Sequence, residues 1–474
     1  MHVTTAALRN KAFSVNFYLD MLENTLNSLN SFIWLKLFLP LMLACALLLL
    51  LFSRGFPLRN FRLCLKNSIG RALGEKSGQA LSPFEAASTA LASTVGTGNI
   101  VGTAQALCMG GPGALLWMWA AALLGMAVKY AEICLSVKTR RAAADGFHGG
   151  PMYYIRAALG PAGPPLAAAY ALFAALAGLG MGNMAQINSA ADSLVLAAEL
   201  FGPLPRPQLM RLALGLLAAG LLLLLVSGGA KRVGRTAALL VPFMCVGFCL
   251  MALIHLVMNL SALPGVLFGI LRSALSPRAL VGASGGAAAK AAVSWGLRRS
   301  AFSNEAGLGT SALAHSRARC KSAVEQGCWG VFEVFADCLI CTLTGLCILC
   351  SGLELSPALP PGTALLTAAL SQSFGGTVSR LFVSCAMLLL SFSSVLGWAL
   401  YGESCAAYLL GRRGRQCYRG LFIAAAVLGS VMRARAVWQL SDLFNGLMSL
   451  ANLPALLLSA KSVGQMSREY LDGL

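Results

Sequence analysis

Ser93-Thr94-Val95-Gly96-Thr97-Gly98-Asn99-Ile100-Val101-Gly102 sits in an apolar stretch long enough to cross a bilayer, and its reading decides the fold. Three glycines and a run of hydroxyls favour unwinding of a helix. Backbone groups freed in lipid are costly unless they line a cavity or bind something. Small residues can also serve only to bring two helices close together. Asn99, however, adds a buried amide that close packing does not need, so a discontinuous helix is the expectation. Its start is marked by Ser82, Pro83 and Glu85, a capping box with proline at the first helical position.

Outward from this stretch, the chain of 474 residues is 57% hydrophobic and 11% charged, where a soluble protein would carry about a quarter charged residues. The apolar residues form long blocks such as Leu37 to Phe52 and Leu212 to Val226, which with their flanks reach spanning length. The short alternating segments of an outer-membrane barrel are not found. The expected class is therefore all-α, a polytopic membrane protein whose surroundings are the lipid bilayer. The net charge of +19 does not indicate a nucleic-acid partner, because the basic residues fall in short clusters between apolar blocks. The first block begins about 30 residues in and is long enough to span, so no cleavable signal peptide is expected.

Spans are expected at residues 32–53, 83–109, 113–137, 165–199, 209–227, 236–258, 327–351, 378–405, 419–433 and 437–460, with one further crossing between 259 and 326. That makes about eleven. Lys and Arg cluster on alternate connections: Arg54 to Lys76, Lys138 to Arg141, Lys231 to Arg235, Arg317 to Lys321, and Arg412 to Arg419. The alternation places the N-terminus outside and the C-terminus, near Lys461 and Arg468, inside the cell membrane. Arg206, Arg211, Arg433 and Arg435 run against it.

A second element of the same kind reads Phe302-Ser303-Asn304-Glu305-Ala306-Gly307-Leu308-Gly309-Thr310-Ser311. In one placement it lies in a cytoplasmic loop and Glu305 is solvated. In the preferred one, residues 263–297 fold back on the outer side and this segment interrupts the crossing helix five spans after the first break, as an inverted repeat of five helices requires. Glu305 is then a buried carboxylate that needs a partner, an ion or a proton. The division that follows is 1–80 with an extra helix, 81–258 and 259–460 as two five-helix repeats, and 461–474 as a cytoplasmic tail.

Further polar residues intrude on apolar spans. Asn183 and Gln186 share a face at i, i+3, and interhelical hydrogen bonding is the competing account of such amides. Ser391, Ser393 and Ser394 precede Gly397 and Trp398, although serines in membrane helices also bond their own backbone. Cys338, Cys341, Cys347 and Cys350 look like paired metal-ligand motifs, but at about 100° per residue the last two point away from the first two. Packing is the better reading, and no metal other than a transported ion is expected.

At these residues the sequence resembles the alanine or glycine:cation symporters, also called sodium:alanine symporters. The resemblance spans residues 81–460. It rests on Thr94 to Gly102 with Gly110 to Gly113, Gly149 to Tyr154, Gly182-Asn183-Met184, Phe302 to Gly309, Gly397-Trp398 and Asn445 to Met448. It implies a LeuT-like core of two inverted five-helix repeats, here with one extra N-terminal helix, and sodium-driven uptake of alanine or glycine. Asn99, Gln186, Phe302, Ser394 and Trp398 match family positions around the substrate. Ser393-Ser394 stands where paired threonines are common, and Ala451-Asn452 where Pro-Asn is common.

Sodium, the expected coupling ion, is a hard cation that takes oxygen ligands, and unwound carbonyls near Thr94 to Gly96 with the hydroxyls of Ser393 and Ser394 could supply them. The amino acid would sit beside Thr97 and Gly98, its carboxylate toward the positive end of the following half-helix. The alternative is a proton-coupled transporter using Glu305, or Lys290 if its stretch enters the membrane. A channel fits two separately broken helices less well. An enzyme fits worse, because His2, His148, His255 and His315 are scattered and no catalytic motif stands out. No cofactor is implied, and substrate identity, stoichiometry and oligomeric state are not legible in the sequence.

Overall fold

The computed structural model describes residues 25–71, 81–143, 146–275, 285–356, 362–432 and 434–473. Lys76, His2, Arg433 and residues 276–284 lie outside the described residues. Among the described residues the fold is all-α apart from an antiparallel hairpin, Arg141–Ala143 with Gly146–His148, and an isolated bridge between Leu81 and Ala318. In chain order the helices are α1 (Thr25–Phe52), α2 (Pro83–Thr94), α3 (Thr103–Gly110), α4 (Ala114–Thr139), α5 (Gly160–Phe201), α6 (Pro207–Ser227) and α7 (Gly229–Met258). They continue as α8 (Leu263–Leu275), α9 (Gly285–Asn304), α10 (Thr310–His315), α11 (Ala323–Cys350), α12 (Thr363–Phe374), α13 (Gly376–Val431) and α14 (Ala434–Asp472). Among the described residues, eight helices are long and apolar enough to cross a membrane.

A straight helix of the 56 residues of α13 would be about 84 Å long at 1.5 Å per residue, far more than one bilayer. It turns back at Gly411, whose φ of 63° suits glycine. Tyr418 then lies against Gly402, and Arg419 donates to Glu403 across the two arms. The basic connection expected as a loop near residues 412–419 is thus helical.

In its most apolar window α4 is 78% buried and α11 67%, against 28% for α1, α6 and α7. The first two therefore form the centre of the bundle, and the others meet lipid with residues such as Leu224, Leu239 and Phe243. The extra helix α1 runs parallel to α14. Near their starts Asn30 donates to the carbonyl of Gln439 (2.9 Å), and beyond the end of α1 Asn67 donates to the hydroxyl of Tyr470 (3.0 Å).

The stretch between α7 and α11 departs in part from expectation. Residues 285–297 do not fold back ahead of the crossing; they form the first half of α9. Their small side chains permit this, because Ala292 and Gly296 pack directly on Gly110 and the Ala114 carbonyl. The cytoplasmic-loop placement of Phe302 to Ser311 does not hold either, since every residue from 300 to 316 is buried.

Candidate substrate and ion site

The sequence determines both breaks locally. Ser82 accepts from the Glu85 amide and Glu85 accepts from that of Ser82 (2.8 Å), so α2 starts as its capping box dictates. It ends at Thr94, where Val95 turns extended (φ −83°, ψ 93°), and the chain re-enters through a π turn at Gly98–Gly102 before α3. The Asn99 side-chain carbonyl accepts from the Gly96 amide at 3.0 Å, which holds the break open. The second break lies between α9 and α10, with φ of 55° at Glu305, 89° at Gly307 and 76° at Gly309. Asn304 repeats the device, its carbonyl accepting from the Ala306 amide at 2.9 Å. In both, a short amide side chain replaces a lost helical hydrogen bond.

Two other elements close on the first break. From α5, Gln186 Oε1 accepts from the Thr97 amide at 3.3 Å. From α13, Ser394 stands so near Gly96 that a Cβ there would collide with its hydroxyl. Gly397 presses on α2, its hypothetical Cβ 2.9 Å from the Thr89 carbonyl. Trp398 covers Gly182 of α5 and donates its indole N–H to Glu305 Oε1 at 3.2 Å. Thr310 donates to the other oxygen of Glu305. Ser394, Trp398, Thr97, Asn99 and Glu305 have no exposure to solvent.

The remaining expected residues divide. Thr94 donates to the Ala90 carbonyl of its own helix and accepts from Lys129, and Ser393 donates to the Leu390 carbonyl, which leaves the Ser393 oxygen lone pairs to accept. Ser394 Oγ and Thr97 Oγ1 have no hydrogen-bond partner among the described residues. Gly98 lies against Ser303 of α9. Asn183 donates to the Phe422 carbonyl on the second arm of α13, so it ties helices together. Gln186, beyond the π turn at Gly180–Met184, faces the first break instead, so the two amides serve different partners. Phe302 is not brought to Trp398; its ring packs between Trp34 of α1 (6.3 Å) and Trp438 of α14 (6.0 Å). Of the clustered thiols, Cys341 meets Asn99 and Ser303, whereas Cys347 faces the Ala252 carbonyl of α7.

Sequence reading passed over a layer of buried charge. Asp337 of α11 accepts from Asn99 (2.6 Å) and from Ser303 (2.7 Å), bridging the two broken helices. Glu132 of α4 accepts from the Gly307 amide (3.0 Å) and from Asn452 of α14 (2.8 Å). Asn452 also meets the Tyr154 hydroxyl (2.6 Å), which places the Gly149–Tyr154 motif behind the second break. Lys129 donates to the Asn304 carbonyl at 2.6 Å, and Glu333 pairs with Lys129 and with His315. The available signal was charge at i, i+3 (Lys129, Glu132) and i, i+4 (Glu333, Asp337) within two apolar spans.

Two discontinuous helices facing each other across buried polar side chains are the architecture of a secondary transporter. The family model for the sodium:alanine symporter family matches residues 19–473. The chain belongs to that family. The match takes in the extra helix and the C-terminal tail, beyond the 81–460 legible from motifs. It is 36% identical over 436 residues to the sodium/alanine symporter AgcS of Methanococcus maripaludis, covering 91% of this chain and 93% of that one. It is 33% identical over 461 residues to the amino-acid carrier protein AlsT of Bacillus subtilis, covering 95% and 93%. Its fold is similar to that of MhsT in complex with L-phenylalanine, with TM-score 0.59 and 16% identity over 84% of this chain and 100% of that one. This family member is a multi-pass membrane transporter of amino acids with a LeuT-like fold, not an enzyme.

Proposed function

We propose that the chain is a sodium-coupled symporter of a small neutral amino acid, alanine or glycine, working by alternating access. The observation that carries the reading is the convergence of fully buried Ser394 Oγ, without a partner among the described residues, with the unwound backbone at Thr94 to Gly96. A hard cation takes oxygen ligands, and a helix break in a membrane frees carbonyls to serve as such. The carbonyls of Thr94 to Gly96, Ser394 and the lone pairs of Ser393 make an oxygen-only set that suits sodium. The substrate would lie beside it, its carboxylate toward Gly98 and the positive end of the re-entering helix, with Thr97 and Gln186 as further polar partners. Trp398, pressed onto Gly182, leaves little room for a side chain, which supports a substrate as small as alanine. Phe302 would limit the site from behind, through the aromatic stack with Trp34 and Trp438.

The crossings are proposed to number eleven: the eight long helices, α13 counted twice, and the broken pairs α2/α3 and α9/α10. The repeats would be 81–258 and 259–460. Arg141 and Arg412 line neighbouring clefts that share Tyr153 and Tyr408, which supports one side for both basic connections, taken as the cytoplasmic one. A proton-coupled reading is favoured by one observation, the solvent-free Glu305, whose carboxylate is bonded only to the neutral Thr310 and Trp398 among the described residues. Lys290 is exposed and gives it no support. Uptake of radiolabelled alanine, glycine and glutamine into proteoliposomes, with sodium replaced at fixed pH, tests the proposal. Alanine or glycine uptake that needs sodium and saturates supports it; uptake that ignores sodium and follows a pH gradient transfers coupling to Glu305.

A further inference from the structure

Lys129 has no exposed surface, although it lies on the central helix α4 of a membrane protein. A charge at that depth is expensive unless its partners compensate it. Its ammonium donates to the Asn304 carbonyl (2.6 Å) and to Thr94 Oγ1 (3.3 Å), and Glu333 Oε2 of α11 is 3.6 Å away. Thr94 is the last residue of α2 and Asn304 the last of α9. The cation therefore stands where the carboxyl ends of two half-helices converge, which is where the helix dipoles call for positive charge. Glu333 continues to His315, the last residue of α10, so the other half of the second broken helix joins the same group. One turn along α4, Glu132 accepts from the Gly307 amide and from Asn452, on the opposite side of the same break. Close approach of the backbones makes this possible: a Cβ on Gly330 of α11 would lie 3.2 Å from the Lys129 carbonyl carbon.

Besides its ion pair with Glu333 on the central α11, Lys129 bonds the ends of both broken helices, and the Thr94 carbonyl belongs to the oxygen set assigned to sodium. We propose that Lys129 is a positioning residue, a tethered internal cation that links the first break to the second, so that sodium held at α2 sets the geometry of α9 and α10. Glu132 is its counter-grip. The proposal rests on the sodium-symport reading.

The test is alanine binding to purified protein, with and without saturating sodium, for wild type, Lys129→Met and Lys129→Gln. The readout is the ratio of the two dissociation constants. Coupling between linked sites is about 5- to 150-fold. The wild-type ratio should fall in that range, and in Lys129→Met it should fall to about onefold to twofold while each ligand alone still binds. Lys129→Gln keeps an N–H donor without the charge, is milder on folding, and should lower the ratio to less than half of wild type. Gel filtration and thermal unfolding establish that each variant is folded. A folded neutral variant with the wild-type ratio overturns the proposal alone, as does one in which sodium and alanine affinities both weaken while their ratio stays constant. A wild type whose alanine binding ignores sodium overturns the symport reading and this proposal together.

Discussion

Replacing Ser394 by alanine removes a hydroxyl that bonds nothing else among the described residues, so the fold and the ion should respond differently. Leaving a buried hydroxyl unbonded costs about 1–3 kcal/mol, and its removal therefore should not lower the unfolding temperature. As one oxygen ligand of a bare cation, the same hydroxyl is worth about 1.5–3 kcal/mol. At 1.4 kcal/mol per decade, that is a rise of about 10- to 140-fold in the sodium concentration for half-maximal uptake. Ser394→Thr restores the oxygen and should stay near wild type. Ser393→Ala should be gentler on sodium, but it cuts the 2.9 Å bond to the Leu390 carbonyl. The assay is initial alanine uptake in proteoliposomes over a sodium series at constant ionic strength, with thermal unfolding measured on the same preparations. An Ser394→Ala protein with unchanged sodium half-saturation refutes the ion site, however much its maximal rate falls.

Trp398→Ala removes the wall over Gly182 and the bond to Glu305, so it should admit bulkier neutral amino acids or abolish uptake; competition by a panel of amino acids would show this, and unchanged selectivity and rate would take Trp398 out of the site. Gly397→Ala puts a Cβ 2.9 Å from the Thr89 carbonyl and should destabilise the protein by about 1–3 kcal/mol while slowing transport, as thermal unfolding and uptake would report. Single cysteines beside Arg140 and Arg413 should be labelled from the same side, the cytoplasm; labelling from opposite sides would break the eleven-crossing topology.

Both breaks were legible because their chemistry is local. Glycine, hydroxyls and one asparagine at membrane depth identify an unwound segment without knowledge of its neighbours, and Asn99 and Asn304 act within three residues of themselves. Gln186 and Ser394 were legible as polar interruptions of apolar runs, and Trp398 as the large aromatic beside the serines. What the sequence hid depends on helix phase and on partners distant in the chain. Asn183 bonds the second arm of α13 while Gln186 bonds the first break, and the last turn of α9 points Phe302 toward α1 and α14. Lys129, Glu132, Glu333 and Asp337 stay hidden for another reason: charge at the loops sets topology and is legible as such, whereas each single charge within a span needs a partner that lies far away in the chain.

Two of those side chains, Lys129 and Glu132, together with three amide side chains also explain why irregular backbone is tolerated here. At the second break Glu132 accepts the Gly307 amide, Asn304 that of Ala306, and Lys129 binds the Asn304 carbonyl; at the first, Asn99 and Gln186 accept the amides of Gly96 and Thr97. These groups are answered by protein, as hydrocarbon surroundings require. Beside the first break, Ser394 Oγ and Thr97 Oγ1 remain without partners among the described residues. An unmet hydroxyl next to backbone amides that are already satisfied points to a ligand more sharply than a generally polar cavity would, because the usual reason for polar residues there, covering loose amides, is already met. It also explains why small variants such as Ser394→Ala can separate binding from folding in this protein, whereas removing a charge from the supporting layer tests both at once.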